Sequence, residues 1–297
     1  MQAERLLCKD KDDFIAFCLK HRHKVDESFL QNEDLENFAL SEENPTVIIR
    51  RDGNIFAAAS LIVDEYNRKG RRGRFRIFYS EEDNPRVYSI LLSELLRHIH
   101  GIDKVHLFVP LINNRLSEIM KSLPFEIDRY VYILVKETSE RQAVNLPQGY
   151  SIREFQLNRD EADWCHIRNT AFSHVKGNTT PITPEIVHKQ VYSSEYIEGG
   201  MLLLLFDTLP VGIIRGVKDE YEGEPVMNIG PLAILPAYQR KGLGRQLLRA
   251  AIDFAQKKKY NKVILCVNAD NENAKELYLR EGFVHTEGVI SYELYIS

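Results

Sequence analysis

The chain has 297 residues, 44% of them hydrophobic, with 39 basic and 43 acidic side chains. This length and composition are typical of a folded protein with two domains and exclude a disordered or low-complexity chain. Both halves of the sequence are slightly acidic, which argues against a basic nucleic-acid-binding module. We also find neither the apolar core of a signal peptide nor an apolar run of the ~20 residues that a membrane helix requires.

The four cysteines are scattered along the chain and show no CxxC spacing. Zinc sites and disulfide frameworks place cysteines at short, regular spacings. We therefore predict no metal site and no disulfide, and a reducing compartment, with the cytoplasm as the default location. The cysteines are Cys8, Cys18, Cys165 and Cys266.

A polar segment divides the chain into two pieces of similar size. It reads "KETSERQAVNLPQG", lacks aromatic residues and ends in Pro-Gln-Gly, which is typical of a surface connection. Each flanking piece has the usual length of one domain. We predict a first domain at 1–136, a linker at 137–149 and a second domain at 150–297.

The two pieces contain a related segment. Residues 104–127 and 262–285 align without a gap at an offset of 158, and each reads as a strand, an Asn-containing turn and a helix. This pattern favours two copies of one domain rather than a solenoid of many short repeats. Chance similarity between two strand–helix units is the alternative. The offset pairs Asn113 with Asn271, Met120 with Tyr278 and Phe125 with Phe283.

The second half predicts a mixed sheet with helices on its faces. "EADWCHIRNTAF" and "PEIVHKQVYSS" read as helices, and "GGMLLLLFD" and "LPVGIIRGV" read as strands joined by a tight turn. "VMNIGPLAIL" reads as a strand that bends at Gly230-Pro231, because proline cannot donate to a strand ladder. A helix to about Lys258, a strand at "KVILCV", a helix at 271–281 and a final strand at "VISYELYI" follow. The predicted fold class is α/β (α+β).

A glycine-rich turn lies between the bent strand and the long helix, in "LAILPAYQRKGLGRQLL". Glycines before a helix let the backbone approach a ligand, and the first N–H groups of the helix then converge on one point with the positive end of the helix dipole. This arrangement indicates a phosphate site. The Walker motif is absent, and Leu247 replaces the third glycine of a dinucleotide-binding GxGxxG motif. A solvated basic turn is the alternative.

"LAILPAYQRKGLG" resembles the acetyl-CoA-binding motif of the GNAT superfamily of N-acyltransferases, with its [QR]-x-x-G-x-[GA] loop. "NADNENAKELYLREGF" resembles the second signature of that family, N-x-x-A-x-x-L-Y-x-x-x-G-F. Two signatures in the right order are more specific than either alone. The tandem arrangement is similar to that of the mycothiol synthase group. The resemblance implies two tandem GNAT-like domains, each a mixed, twisted sheet flanked by helices.

The resemblance also implies acetyl-CoA as the cosubstrate and a set of binding residues. Backbone groups of the bent strand would pair with the pantetheine arm, the glycine loop would hold the pyrophosphate, and Asn271 would contact one of these arms. A helix N-cap is the other role that the sequence allows for Asn271. The implied residues are Leu232, Ala233, Ile234, Gln239, Arg240, Lys241, Gly242, Leu243, Gly244, Arg245 and Asn271.

Tyr278 takes the family position of the acid that protonates the departing CoA thiolate, and a phenol with a pKa near ~10 suits that role. A buried structural tyrosine is the alternative. Many relatives carry Glu on the strand before the loop, where this sequence has Asn228, which could position a water that relays the proton. The sequence leaves the base open among Glu224 with the acidic turn 219–224, Glu185 and His174.

We therefore expect an N-acetyltransferase that transfers acetyl directly from acetyl-CoA to an amine of a small molecule or peptide. The first piece has Met120 opposite Tyr278 and lacks the glycine loop, so we expect it to be non-catalytic. A catalytically decayed acyl-CoA-binding sensor or interaction protein is the alternative. A nucleotide-dependent oxidoreductase would require the missing third glycine. We expect neither nucleic acid nor membrane as a partner, and the sequence does not specify the oligomeric state.

Overall fold

The structure is a computed structural model that describes residues 1–139 and 142–296. Its helices are distributed along the whole chain, and none of those within the described residues is long and apolar enough to cross a membrane. One-turn 3₁₀ helices lie at Cys8–Asp10, Arg22–Lys24 and Pro236–Tyr238. The α-helices are α1 (Lys11–His21), α2 (Asn32–Glu36), α3 (Glu65–Lys69), α4 (Pro85–Leu96), α5 (Asn114–Met120), α6 (Glu161–Phe172), α7 (Pro184–Gln190), α8 (Leu243–Lys257) and α9 (Glu272–Arg280).

The strands alternate with these helices in both halves of the chain. They are β1 (Glu4–Arg5), β2 (Thr46–Arg51), β3 (Asn54–Ile62), β4 (Arg72–Ser80), β5 (Lys104–Pro110), β6 (Glu126–Glu137), β7 (Tyr150–Glu154), β8 (Tyr196–Phe206), β9 (Leu209–Tyr221), β10 (Glu224–Ile234), β11 (Lys262–Asn268) and β12 (Val284–Tyr295).

The chain forms two compact units. Unit 1 contains Met1–Val131 together with Glu287–Ser297, and unit 2 contains Tyr132–Thr286. The division therefore falls inside β6, before the predicted linker at 137–149, and the C-terminal strand belongs to the first unit. Within that segment Thr138 and Asn145 donate backbone hydrogen bonds to Asn261 and Gln246 of unit 2. Residues 140 and 141 of the segment lie outside the described residues.

Unit 1 has the strand order β1-β2-β3-β4-β5-β12. Its strands pair antiparallel except β4 and β5, which run parallel. Residues 289–295 of β12 pair with β5. One apolar core lies in this unit, and it includes Phe14 of α1, Leu91 of α4 and Val105 of β5.

Unit 2 has the strand order β6-β11-β10-β9-β8-β7, and β10 and β11 are its parallel pair. Successive side chains along a strand point to opposite faces of the sheet, and each face has its own apolar core. Ile213 packs with Trp164 of α6 on one face, and Ile214 packs with Leu247 of α8 on the other. Both units are therefore mixed sheets flanked by helices, which confirms the predicted fold class.

Helix α8 forms where its apolar spacing predicts a helix. Leu243, Leu247, Ala251 and Ala255 recur every four residues and are all buried against the sheet. At about 25 cal/mol per Å² of apolar surface, burying each leucine contributes on the order of 2 kcal/mol. This packing fixes the first turn of α8 beside the end of β10.

Candidate active site

A cleft opens between β10 and β11. The two strands pair at Met227 with Val263 and at Asn228 with Ile264, and no later pair joins them within the described residues. The register of β10 against β9 shifts between Ile229 and Leu232. One edge of residues 229–234 is consequently available to a ligand that pairs with a strand.

Arg215 of β9 fixes the backbone at this divergence. Its Nε donates to the carbonyl oxygen of Gly230 at 3.2 Å. Burial lowers the pKa of this guanidinium, and the neighbouring Glu195 acts in the opposite direction. The sequence analysis missed this residue, although a single charged side chain within the apolar strand "PVGIIRGV" is a signal that could have identified it.

The glycine loop leads into an uncapped helix. Gly242 is the N-cap of α8 with φ +74°, and no side chain caps the helix there. Arg240 also has a left-handed backbone, with φ +60°. The loop from Gln239 to Gly242 is exposed, and the first N–H groups of a helix have no acceptor within the helix. These donors and the helix dipole fit a phosphate or pyrophosphate group.

The corresponding turn of unit 1 is closed. Asn84 is the N-cap of α4, and its side chain accepts the N–H of Arg86 at 3.0 Å. Pro85 follows at the first position of the helix and has no N–H to offer. Three acidic residues precede the cap in "EEDNP". This turn has neither the free donors nor the charge that an anion requires.

Helix α9 brings its predicted site residues beside the start of α8. A Cβ built at Gly244 would lie 3.9 Å from side-chain atoms of both Ile234 and Leu277, which is ordinary contact distance. Tyr278 packs against the core that contains Ile234 and Leu243. The end of β10, the glycine loop and Tyr278 therefore lie close together in the fold.

Tyr278 is half-buried, and within the described residues its hydroxyl has no hydrogen-bond partner. Its ring lies 5.9 Å from the ring of Phe283. Burial raises the pKa of Tyr278 to about 12, because a phenolate is poorly solvated there. The phenol therefore keeps its proton at neutral pH and can donate it.

Other implied residues have structural contacts of their own. The Gln239 side chain donates to the carbonyl oxygen of Ile234 at 2.9 Å, so it holds the end of β10. The Asn271 side chain accepts the N–H of Ala274 at 3.3 Å and caps α9. Lys241 lies over the ring of Tyr238, with its Nζ 5.2 Å from the ring centre.

Arg245 lies 3.0 Å from a carboxylate oxygen of Glu281, and Arg249 holds the same carboxylate through two hydrogen bonds of 2.7 and 3.0 Å. Glu281 is 2% exposed. It therefore ties the first turns of α8 to the end of α9. The sequence analysis missed Glu281, since no local pattern connects residues 32 positions apart.

Asn228 contacts an acid of the neighbouring strand. Its Nδ2 donates to Oδ2 of Asp219 at 2.7 Å. Among the other base candidates, Glu224 lies 4.0 Å from Lys262, whereas Glu185 and His174 are exposed near the ends of α7 and α6. The structure thus places one acid of the predicted turn beside the predicted catalytic amide.

A separate group of metal-type ligands lies in unit 1. Ligand atoms of His106, Asp128 and Glu293 lie within 4.8 Å of one another. Arg129 and Lys104 already pair with the two carboxylates. We therefore interpret this group as an ion-pair network around a buried histidine.

Residues 162–283 match the Acetyltransferase (GNAT) family. This part of the chain is similar to a GNAT acetyltransferase domain. The matched range contains β10, the glycine loop, α8, β11 and Tyr278, which are the elements that surround the cleft. Members of the GNAT family use acetyl-CoA as acyl donor.

Relatives and solved structures of the GNAT type agree with this assignment. Mycothiol acetyltransferases of Renibacterium salmoninarum and Arthrobacter sp. are 30% and 29% identical to the chain, over 50% and 54% of its length. These matches cover only 45% and 50% of the two relatives, or about half of their length.

Two solved structures align with nearly the whole chain and support the fold. A GCN5-related N-acetyltransferase from Sphaerobacter thermophilus has a TM-score of 0.71 at 16% identity and covers 99% of this chain and 95% of its own. A tandem GNAT protein from the clavulanic acid biosynthesis pathway has a TM-score of 0.68 at 10% identity. The alignment covers 99% of this chain and 98% of that protein.

Proposed function

We propose that the protein is an acetyl-CoA-dependent N-acetyltransferase that transfers acetyl directly to the amine of a small molecule or peptide. The observation that carries this proposal is the contrast between two helix starts. Gly242 leaves the N-terminus of α8 open, whereas Asn84 and Pro85 close that of α4. An open helix start beside a divergent strand pair is suited to a ligand with a pyrophosphate and an amide-containing arm.

The residues present fit acetyl-CoA at this place. Backbone N–H groups at 240–245 would hold the pyrophosphate. The edge of β10 at Leu232, Ala233 and Ile234 that pairs with no other described strand would bind the amides of the pantetheine arm. The side chains of Gln239 and Asn271 would support this site indirectly, since they hold the end of β10 and the start of α9. Acetyl-CoA supplies an activated thioester.

Tyr278 would give its proton to the CoA sulfur as the thioester breaks. Its buried position keeps the hydroxyl protonated, and its lack of a hydrogen-bond partner within the described residues leaves the O–H available to a ligand. Holding the two reactants together would supply much of the rate enhancement.

Unit 1 would not catalyse this reaction. Its helix start is closed, and the buried Met120 holds the place that the sequence offset assigns to the counterpart of Tyr278. A methionine side chain has no proton to donate. Catalysis would therefore reside in unit 2.

The names of the relatives suggest an acceptor related to mycothiol as one candidate, and a small amine or a peptide amine is the broader class. We also propose a cytoplasmic location, because the scattered cysteines lack the short, regular spacing of a disulfide framework.

The test is a turnover assay of the full chain with acetyl-CoA and a panel of primary amines that includes amino acids, amino sugars, polyamines and mycothiol-related amines. Release of the CoA thiol and a mass gain of one acetyl group on the amine would support the proposal. Binding of acetyl-CoA without transfer to any amine would instead favour an acyl-CoA-binding sensor.

A further inference from the structure

The base for the reaction is the open question at this site, and Asn228 cannot fill that role itself. Asn228 is the last residue of β10 that pairs with β11, so it lies where the cleft begins. A side-chain amide carries no group that takes up a proton near neutral pH. Its Nδ2 instead donates to Oδ2 of Asp219 at 2.7 Å. A carboxylate therefore lies one hydrogen bond away from the start of the cleft.

The strand register explains this contact. Asn228 lies opposite Val217 of β9, and Asp219 is two residues farther along the same strand. Side chains two residues apart leave the same face of a strand. Ile213 belongs to this face and packs with Trp164 of α6. The Asn228–Asp219 pair thus lies on the face of the sheet that carries α6.

Two hydrogen bonds orient the carboxylate of Asp219, and no cationic side chain among the described residues pairs with it. Its Oδ1 accepts the N–H of Glu220 at 2.8 Å, so each carboxylate oxygen receives one hydrogen bond. Asp219 forms no ion pair with any residue that the structure describes. Glu222 and Glu224 of the same turn differ, since each lies 4.0 Å from Lys262. A positively charged amine would therefore meet Asp219 as a carboxylate whose charge is not already paired.

Two charged groups share this side of the sheet with Asp219. Arg215 lies four residues earlier on β9 and holds the carbonyl of Gly230, and Glu195, just before β8, interacts electrostatically with Arg215. The contact of Arg215 anchors the backbone of β10 two residues beyond Asn228. The Asn228 amide thus lies beside an anchored segment of β10, and Asp219 lies opposite Val226, two residues before Asn228.

From this geometry we infer that Asp219 is the general base for the acceptor amine and that Asn228 is the residue that positions it. This inference rests on the proposed acetyl transfer. The carboxylate of Asp219 takes one proton from the acceptor ammonium and later releases it to solvent.

The remaining steps balance through Tyr278. The amine nitrogen forms a bond to the acetyl carbon while the bond between that carbon and the CoA sulfur breaks, and the sulfur keeps the electron pair. Tyr278 gives its proton to that sulfur and is reprotonated by the second proton that the nitrogen loses. The products are the acetylated amine, the CoA thiol and one proton.

The test compares the wild-type chain with D219N and E220Q, using acetyl-CoA and the amine that gives the highest turnover in the panel. D219N keeps the size of the side chain and can still accept the hydrogen bond from Asn228. We expect kcat at pH 7 to fall by about 100-fold or more, the usual contribution of a general base, with KM for acetyl-CoA within about twofold. The difference in kcat between D219N and wild type should shrink at higher pH, because the amine then loses its proton to solvent.

E220Q is the matched control, because Glu220 is exposed and leaves the opposite face of the same strand. Its kcat should stay within about twofold of wild type. If wild type turns over and D219N keeps its kcat with an unchanged pH profile, Asp219 is not the base, while the acetyltransferase proposal stands. If wild type acetylates no amine, both proposals fail. Fluorescence of Trp164 during urea unfolding verifies that D219N is folded.

Discussion

Gly242 and Asn84 hold the same position, the N-cap, in helices α8 and α4. The sequence offset of 158 aligns these two residues. One of them leaves the backbone donors of its helix open, and the other covers a donor with its own side chain. Together with Pro85, this exchange distinguishes the two helix starts, because the first N–H groups of a helix bind either a cap or a ligand.

The first prediction concerns the glycine loop. G244E should abolish acetyl-CoA binding, since a carboxylate in the first turn of α8 repels the pyrophosphate. The fold should survive, because a Cβ at this position meets only ordinary contacts at 3.9 Å. Isothermal calorimetry measures the binding, with one site per wild-type chain expected.

R86E is the control, since Arg86 aligns with Gly244 and lies exposed in the first turn of α4. It should bind acetyl-CoA as wild type does. Retained affinity in G244E would contradict the placement of the pyrophosphate. Two sites on the wild-type chain would contradict the interpretation of unit 1.

The second prediction concerns Tyr278. Y278F should lower kcat by about 100-fold, the usual contribution of a general acid, and leave the KM for acetyl-CoA nearly unchanged. The ring packing against Phe283 is kept, so stability should hold. Steady-state kinetics at saturating amine separate these quantities. Y295F, at a tyrosine that is 61% exposed in unit 1, should have no effect, and an equal loss in both variants would rule out a specific acid role.

The third prediction concerns the buried carboxylate of Glu281. E281A should lower the free energy of unfolding of unit 2 by about 2–3 kcal/mol, below the ~3–5 kcal/mol of a fully buried pair because Arg245 and Arg249 reach solvent. Urea unfolding followed by the fluorescence of Trp164, which is buried in unit 2, measures this change.

E276Q provides the comparison for Glu281. Glu276 forms an ion pair with Arg280 on the exposed surface of the same helix, and such pairs contribute less than about 1 kcal/mol. A similar small loss in E281A would mean that the contact between α8 and α9 depends on apolar packing alone.

The fourth prediction concerns acid stability. Burial, with Lys104 and Arg129 nearby, lowers the pKa of His106 from 6.5 to about 4, and Asp128 opposes this shift. The unfolded chain therefore binds one more proton than the folded chain between pH 4 and 6.5. The free energy of unfolding should fall as the pH drops through this window, by roughly 3 kcal/mol in total.

Urea unfolding followed by circular dichroism from pH 4.5 to 7.5 measures this slope. The slope should flatten in H106L, whatever the change in absolute stability. It should persist in H100Q, because His100 is exposed. An unchanged slope in H106L would assign the acid sensitivity to other groups.

The sequence by itself determined the local features of this protein. The apolar spacing of α8, the glycine loop before it, and the Asn–Tyr pattern of α9 each lie within one short segment. Their conformation depends on neighbouring residues, through helix periodicity, capping and permitted φ values. The predicted fold class and the GNAT resemblance rested on such local patterns, and both are confirmed.

Only the tertiary structure decided the contacts between distant segments. It assigned the C-terminal strand to unit 1 and residues 132–149 to unit 2, brought Asp219 to Asn228, and placed Glu281 against Arg245 and Arg249. Strand pairing and buried ion pairs depend on the register and packing of whole elements, and no spacing within one segment encodes them. The contact between Asp219 and Asn228, on which the proposed assignment of the base rests, therefore could not follow from sequence, because the carboxylate and the amide meet across two strands.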